Sequence, residues 1–143
     1  VNDARKKAMA TKVIAISGDL TGKTVGVLGL TFKPNTDDMR DAPSLSIIQG
    51  LQDHGAQIVA FDPEGMEQAR QVLINVEYAP SPEECIKGAD ALVIVTEWEE
   101  FRGLDMRRIR DLLRAPIVID LRNIYAPDEV RKHGLKYFSI GRS

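Results

Sequence analysis

Val25-Gly26-Val27-Leu28-Gly29-Leu30-Thr31-Phe32-Lys33-Pro34-Asn35-Thr36-Asp37-Asp38-Met39-Arg40-Asp41-Ala42-Pro43-Ser44 begins as an apolar run and breaks at Gly29. It then crosses a polar loop carrying Lys33 and Arg40 and re-enters order at Pro43. Proline suits the first position of a helix, because the N–H it lacks has no helical partner there anyway. The stretch therefore predicts a buried strand, a loop with two cations and a helix N-terminus in succession. Those are the parts of a phosphate receptor: N–H groups and dipole from the helix end, charge-assisted hydrogen bonds from the side chains.

Outward from this stretch the chain alternates. Strands are predicted over 24–30, 57–61, 76–78, 91–96, 117–120 and 136–140. Helices are predicted over 43–54, 64–73, 82–87, 105–113 and 127–133, several stopped by a glycine: Gly55, Gly88 and Gly134. Residues 2–17 have apolar positions at Ala4, Ala8, Val13, Ile14 and Ile16 with basic residues between them, the pattern of an amphipathic helix ended by Gly18. Strands joined by helices need crossover connections, hence a parallel sheet covered on both faces. The inner runs are nearly continuous in hydrophobic residues, as burial on two sides requires. The expected fold class is α/β: a Rossmann-like, doubly wound parallel sheet of about six strands, preceded by the end of a long helix. Residues 1–20 would form that helix end and a linker, and residues 21–143 the sheet domain.

The totals narrow the function. With 143 residues, 43% apolar and 28% charged, the chain has the size and make-up of one globular domain. A net charge of −2 argues against a nucleic-acid partner. No run approaches the roughly 20 apolar residues that span a membrane, and the charged opening residues do not read as a signal peptide. The single cysteine, Cys85, precludes an internal disulfide and fits a reducing, cytoplasmic setting. No Cys/His cluster has the spacing of a metal site.

In an open sheet of this class ligands bind outside the carboxyl ends of the strands. Those ends are followed by Thr31-Phe32-Lys33, Asp62-Pro63, Thr96-Glu97-Trp98 and Leu121-Arg122-Asn123-Ile124-Tyr125. Lys33 and Arg122, with Phe32 and nearby Tyr125, suit a diphosphate flanked by a stackable base. Gly26 and Gly29 do not complete the three-glycine dinucleotide pattern, so a phosphate ligand held by side chains fits better. Other roles account for the same residues: solvation for Lys33, local pairing within Asp37–Asp41 for Arg40, pairing with Asp120 for Arg122. Asp62 suits either a ribose or an ordinary Asp-Pro turn. Trp98 reads as packing, His54 and His133 as helix-end residues, and Cys85 as a buried, inert thiol.

The run from Gly29 to Arg40 closely resembles the signature that opens the C-terminal domain of the UDP-glucose/GDP-mannose dehydrogenase family. Phe61-Asp62-Pro63, Thr96-Glu97-Trp98, Asp120-Leu121-Arg122-Asn123 and Ser139-Ile140-Gly141-Arg142 match in the same order across essentially the whole chain. The form of the first motif is most similar to the bacterial branch acting on UDP-glucose. The resemblance implies a longer protein with an N-terminal NAD-binding domain, a central helical domain whose long helix dimerises, and a C-terminal domain for the nucleotide sugar. It implies oxidation of the sugar's 6-hydroxymethyl group to a carboxylate, two NAD being reduced, through a cysteine-bound thiohemiacetal and thioester. Phe32, Lys33 and Arg122 match family positions that contact the UDP-sugar, and Arg40 one that reaches NAD on the other domain. The family's nucleophilic cysteine and NAD glycine motif match nothing here, and Cys85 falls outside that motif, so no catalytic residue is expected in this chain. The expected partners are UDP-glucose or a related nucleotide sugar and, for the longer protein, further copies of itself in a homodimer or higher homo-oligomer. GDP-mannose and UDP-N-acetyl sugars stay open as substrates. A self-sufficient NAD-binding module, with Asp62 on the ribose, and a non-catalytic assembly module built on residues 1–17 are the other readings.

Overall fold

The structure is a computed structural model and describes residues 2–31 and 42–139, with side chains from Ala10 onward. In chain order its elements are α1 (Asn2–Ser17), β1 (Thr24–Leu28), α2 (Pro43–Asp53), β2 (Gln57–Phe61), α3 (Met66–Arg70), β3 (Val76–Tyr78), α4 (Pro82–Ile86), β4 (Ala91–Ile94), α5 (Glu99–Arg102), α6 (Met106–Leu112), β5 (Ile117–Asp120), α7 (Pro127–Lys132) and β6 (Lys136–Ser139). The six strands form one parallel sheet in the order β3-β2-β1-β4-β5-β6. The chain winds outward from β1 to β3, then crosses back to β4 and winds the other way. That reversal puts the switch point, where such sheets open a crevice, between β1 and β4.

Strand residues alternate between two cores. Val25, Val27, Ile58, Ala60, Val93 and Ile119 face α1, α2 and α3. Leu28, Leu92, Ile94, Val118 and Tyr137 face α4 to α7, contributing beside Ile86, Phe101, Ile109 and Val130. Period-two alternation with both faces apolar is what the continuous hydrophobic runs predicted. Helix α1 lies on α2. A Cβ built at Gly50 in α2 would sit 3.4 Å from Ala10 Cβ and from Ile14 Cδ1, so the glycine sets how closely the helices approach. Val13, fully buried in this seam, contributes about 1.5–3 kcal/mol of burial free energy.

Several boundaries differ from expectation, each for a physical reason. β1 stops at Leu28 because Gly29 takes φ +95 and turns the chain. The helix expected over 64–73 shrinks to Met66–Arg70, since Asp62 captures the N–H groups of Glu64 and Gly65 in a turn. The four-residue α5 was not expected, being too short to show a helical period. Among the described residues no helix is long and apolar enough to cross a membrane.

Candidate functional site

The register aligns the strand ends. Leu28 stands beside Phe61 and Ile94, and Ile94 beside Asp120. The ladder runs one rung further, through Gly29 N–H to Phe61 O at 2.9 Å, Val95 N–H to Leu28 O at 2.9 Å and Leu121 N–H to Ile94 O at 3.0 Å. The residues that follow β1, β2, β4 and β5 therefore share one edge. At Gly29 a Cβ would fall 2.5 Å from Thr96 N and 2.6 Å from Thr96 Cβ. Only glycine fits there, both for its positive φ and because the β1 turn presses against the chain leaving β4.

Beyond Gly29 the chain does not open into solvent. Leu30 and Thr31 are fully buried, and side chains from three elements satisfy their peptide groups. Asp62 Oδ2 accepts from Leu30 N–H at 2.7 Å and Thr31 N–H at 3.2 Å. Ser44 Oγ, in the first turn of α2, donates to Leu30 O at 2.6 Å, and Thr96 Oγ1 donates to Thr31 O at 2.8 Å. Asp62 also accepts from Glu64 N–H at 2.9 Å, Gly65 N–H at 2.7 Å and the Trp98 indole N–H at 3.2 Å. A carboxylate offers about four lone-pair sites; this one is saturated.

A second buried carboxylate organises the loop after β5. Asp120 accepts from Arg122 N–H at 3.0 Å, Ile124 N–H at 2.8 Å, Tyr125 N–H at 3.2 Å and Tyr137 O–H at 2.6 Å. The loop turns at Asn123, whose φ of 57 is a conformation asparagine tolerates. The Arg122 guanidinium is thereby turned toward the chain leaving β4. It donates to Glu97 through Nε at 2.6 Å and Nη2 at 2.9 Å, a two-pronged ion pair at the half-buried edge. Thr96 thus reaches the loop that leads to Phe32, while its neighbour Glu97 holds the loop that carries Arg122.

Of the residues singled out from sequence, Arg122 lies at this edge, paired with Glu97 and not with the Asp120 carboxylate. Phe32, Lys33 and Arg40 lie outside the described residues. Asp62 cannot take a ribose, because its oxygens are engaged. Tyr125 is no base-stacking platform: it is buried, its hydroxyl donates to the Phe101 carbonyl, and burial, with Asp120 adding, pushes its pKa up. Trp98 is packing, as expected. His54 and His133 sit at the C-caps of α2 and α7. Cys85 is buried behind β1 and β2, its thiol pointed at the Val59 and Val27 carbonyls, and burial pushes its pKa up to about 12. Glu97 received no role from sequence; an acid one strand end away from a predicted cation was the available signal.

The β1 turn also bears on a dinucleotide. A pyrophosphate cradle needs free backbone N–H groups after β1, and an acid free after β2 for the ribose. Here the N–H groups of Leu30 and Thr31 and the acid are spent on one another, so this turn does not fit NAD. A groove at the opposite, amino-terminal edge, lined by Gln52, Asp53, Val72, Ile74, Glu77 and Lys87, carries two acids and one cation and so does not suit a diphosphate.

The profile of the UDP-glucose/GDP-mannose dehydrogenase family, UDP binding domain, matches residues 26–127, which include the carboxyl ends of β1, β2, β4 and β5. The chain belongs to this family. A UDP-glucose 6-dehydrogenase of Rhizobium meliloti (strain 1021) is 56% identical over 143 residues, covering 99% of this chain and 33% of the relative. The UDP-glucose dehydrogenase structure from the hyperthermophilic archaeon Pyrobaculum islandicum superposes with a TM-score of 0.78 at 30% identity, covering 98% of this chain and 30% of that one. An NDP-N-acetyl-D-galactosaminuronic acid dehydrogenase from Methanosarcina mazei Go1 gives 0.82 at 25% identity, covering 96% and 29%. The chain thus spans about a third of the length of the relatives it matches. At the turn after β1, within the stretch this UDP binding domain profile matches, the N–H groups of Leu30 and Thr31 are already used.

Proposed function

We propose that this chain is the nucleotide-sugar-binding third of an NAD-dependent UDP-glucose 6-dehydrogenase, which oxidises the 6-hydroxymethyl of UDP-glucose to the carboxylate of UDP-glucuronate with reduction of two NAD. Lys33 and Arg122 grip the diphosphate and its surroundings with charge-assisted hydrogen bonds, Phe32 lines the pocket, and Arg40 reaches the cofactor. The cofactor itself is held mainly by residues outside this chain, in keeping with a β1 turn that does not fit it. Residues 1–20 are the end of the helix through which the longer protein associates with copies of itself, in the reducing cytoplasm.

The observation that carries this reading is that Thr96 and Glu97, adjacent in sequence, hold the two loops from which Lys33 and Arg122 arise. With the N–H groups of Leu30 and Thr31 consumed, we assign the charge-assisted hydrogen bonds to the diphosphate to the side chains of Lys33 and Arg122. Calorimetry tests this. UDP and UDP-glucose bind the chain; Lys33→Ala and Arg122→Ala each weaken binding by about 2–5 kcal/mol. Binding of NAD alone at sub-millimolar concentration overturns the reading in favour of a self-contained dinucleotide module. The chain by itself produces no NADH from UDP-glucose and NAD, because its one thiol, Cys85, is buried and protonated.

A further inference from the structure

Among the described residues the buried polar or charged side chains are Thr31, Ser44, Asp62, Thr96 and Asp120, and all five stand at the carboxyl edge of the sheet. Burying such groups stabilises a fold little, since desolvation offsets most of what their hydrogen bonds return. Well-packed apolar residues of the same volume would serve stability at least as well. What a fully satisfied buried polar cluster does supply is a single geometry.

We propose that Asp62, Ser44 and Thr96 are positioning residues of the ligand site: they clamp the peptide groups of Leu30 and Thr31 so that the loop bearing Phe32 and Lys33 starts from one fixed point. This rests on the reading of Lys33 as a ligand contact. The clamp is tight on every side. Both N–H groups of Leu30 and Thr31 go to Asp62, and both carbonyls take side-chain donors, Ser44 at 2.6 Å and Thr96 at 2.8 Å. Gly65 closes it from below, where a Cβ would lie 2.5 Å from Thr31 Cγ2 and 3.2 Å from Asp62 Oδ1. The Ser44 bond does a second thing. It ties the first turn of α2 to the turn that follows β1. A cation displaced by about 1 Å from its phosphate loses most of a charge-assisted bond, which is why a fixed origin matters more here than in an ordinary surface loop. The residue that in a dinucleotide fold faces the ribose is turned inward and spent on this clamp.

The test uses this chain, with Ser44→Ala as the mild variant and Asp62→Asn as the severe one. Amide hydrogen exchange is read by NMR and UDP affinity by calorimetry. Ser44→Ala raises exchange at Leu30 and Thr31 about tenfold above the change at Val25–Leu28, and weakens UDP by about tenfold, the loss of one good hydrogen bond. Ser44→Ala combined with Lys33→Ala binds UDP no more weakly than Lys33→Ala alone, whereas with Arg122→Ala the two losses multiply. If exchange rises evenly through β1, or if the Ser44 and Lys33 losses also multiply, the residues are merely structural and the proposal fails. Should Asp62→Asn not fold, the Ser44→Ala cycle decides alone. If unaltered protein takes up no UDP while exchange still rises only at Leu30 and Thr31, the assignment of the ligand is wrong and the clamp stands.

Discussion

Gly29→Ala probes the point where the sheet edge and the candidate site are joined. Two costs can be separated from the geometry. The first is backbone: φ of +95 lies in the left-handed half of the map, where an alanine costs about 1–2 kcal/mol. The second is contact. The new Cβ would lie 2.5 Å from Thr96 N and 2.6 Å from Thr96 Cβ, about 1 Å inside ordinary contact, and Thr96 cannot swing away because both clashing atoms belong to or adjoin its backbone. Overpacking of this kind costs about 1–3 kcal/mol. The sum, about 2–5 kcal/mol, is a sizeable part of a domain's net stability and lowers Tm on the order of 10 °C for a chain of this size.

Gly18 and Gly88 provide the control. Their φ values are +76 and +78, and a Cβ at either meets nothing within 4 Å. Gly18→Ala and Gly88→Ala therefore carry the backbone cost alone, about 1–2 kcal/mol. Urea denaturation of the three variants, at unchanged m-value, gives the contact cost by difference. Gly29→Ala should also impair UDP binding beyond its effect on folding, because pushing Thr96 outward disturbs its bond to Thr31 and the neighbouring Glu97 at once. If Gly29→Ala costs no more than Gly88→Ala, the close approach of the β1 turn to Thr96 is not a constraint, and the account of how the two loops are held together collapses.

Three further outcomes follow from the same geometry. The Cys85 thiol, raised from 9.0 to about 12 by burial, keeps its proton in the folded state where the unfolded chain has lost it. Its contribution is therefore intact below pH 9 and is lost as pH rises toward 12, at up to about 1.4 kcal/mol per unit; Cys85→Ala flattens this slope relative to the unaltered chain in alkaline urea titrations. Glu97→Ala removes both acceptors from the Arg122 fork; with the two side chains 33% and 26% exposed, we expect a loss of about 1 kcal/mol that shrinks in 1 M salt, and an effect unchanged by salt would count against an electrostatic origin. Tyr137→Phe deletes the hydroxyl that donates to Asp120 at 2.6 Å inside the core and should cost about 1.5–3 kcal/mol by urea denaturation; a neutral result would mean the other donors to Asp120 suffice.

The sheet was legible because its determinants are local. Runs such as Ala91-Leu92-Val93-Ile94 can only sit between two apolar layers, and the helix stops and the Pro43 start carry their own chemistry. The one-turn α5 was not legible, since four residues do not complete a period, and α3 was legible as a helix but not in its limits, since the Asp62 turn takes the start of the expected helix. Pairings across the sheet edge were harder still. Asp62 meets Leu30 over 32 positions, Thr96 meets Thr31 over 65 and Arg122 meets Glu97 over 25, and no spacing rule connects them. Arg122 was correctly placed at the edge by strand counting, but its partner was not. Tyr125 was misread for the same reason: a position after a strand end fixes where the backbone lies, not which way the ring turns.

These misreadings share a cause that bears on the chemistry. In a glycine-rich dinucleotide turn the backbone donors stay free and the acid after β2 stays exposed, so the ligand completes the site. Here the side chain of Asp62 completes the turn from within, leaving nothing for a ligand to satisfy along the main chain of Leu30 and Thr31. On the function proposed above, a turn closed in this way leaves recognition of the diphosphate to side chains, with Lys33 and Arg122 proposed to supply it. Substitutions that reopen the turn, such as Asp62→Asn, should therefore weaken the nucleotide sugar without making the site a better one for NAD, because the glycines that would let a pyrophosphate approach are still missing.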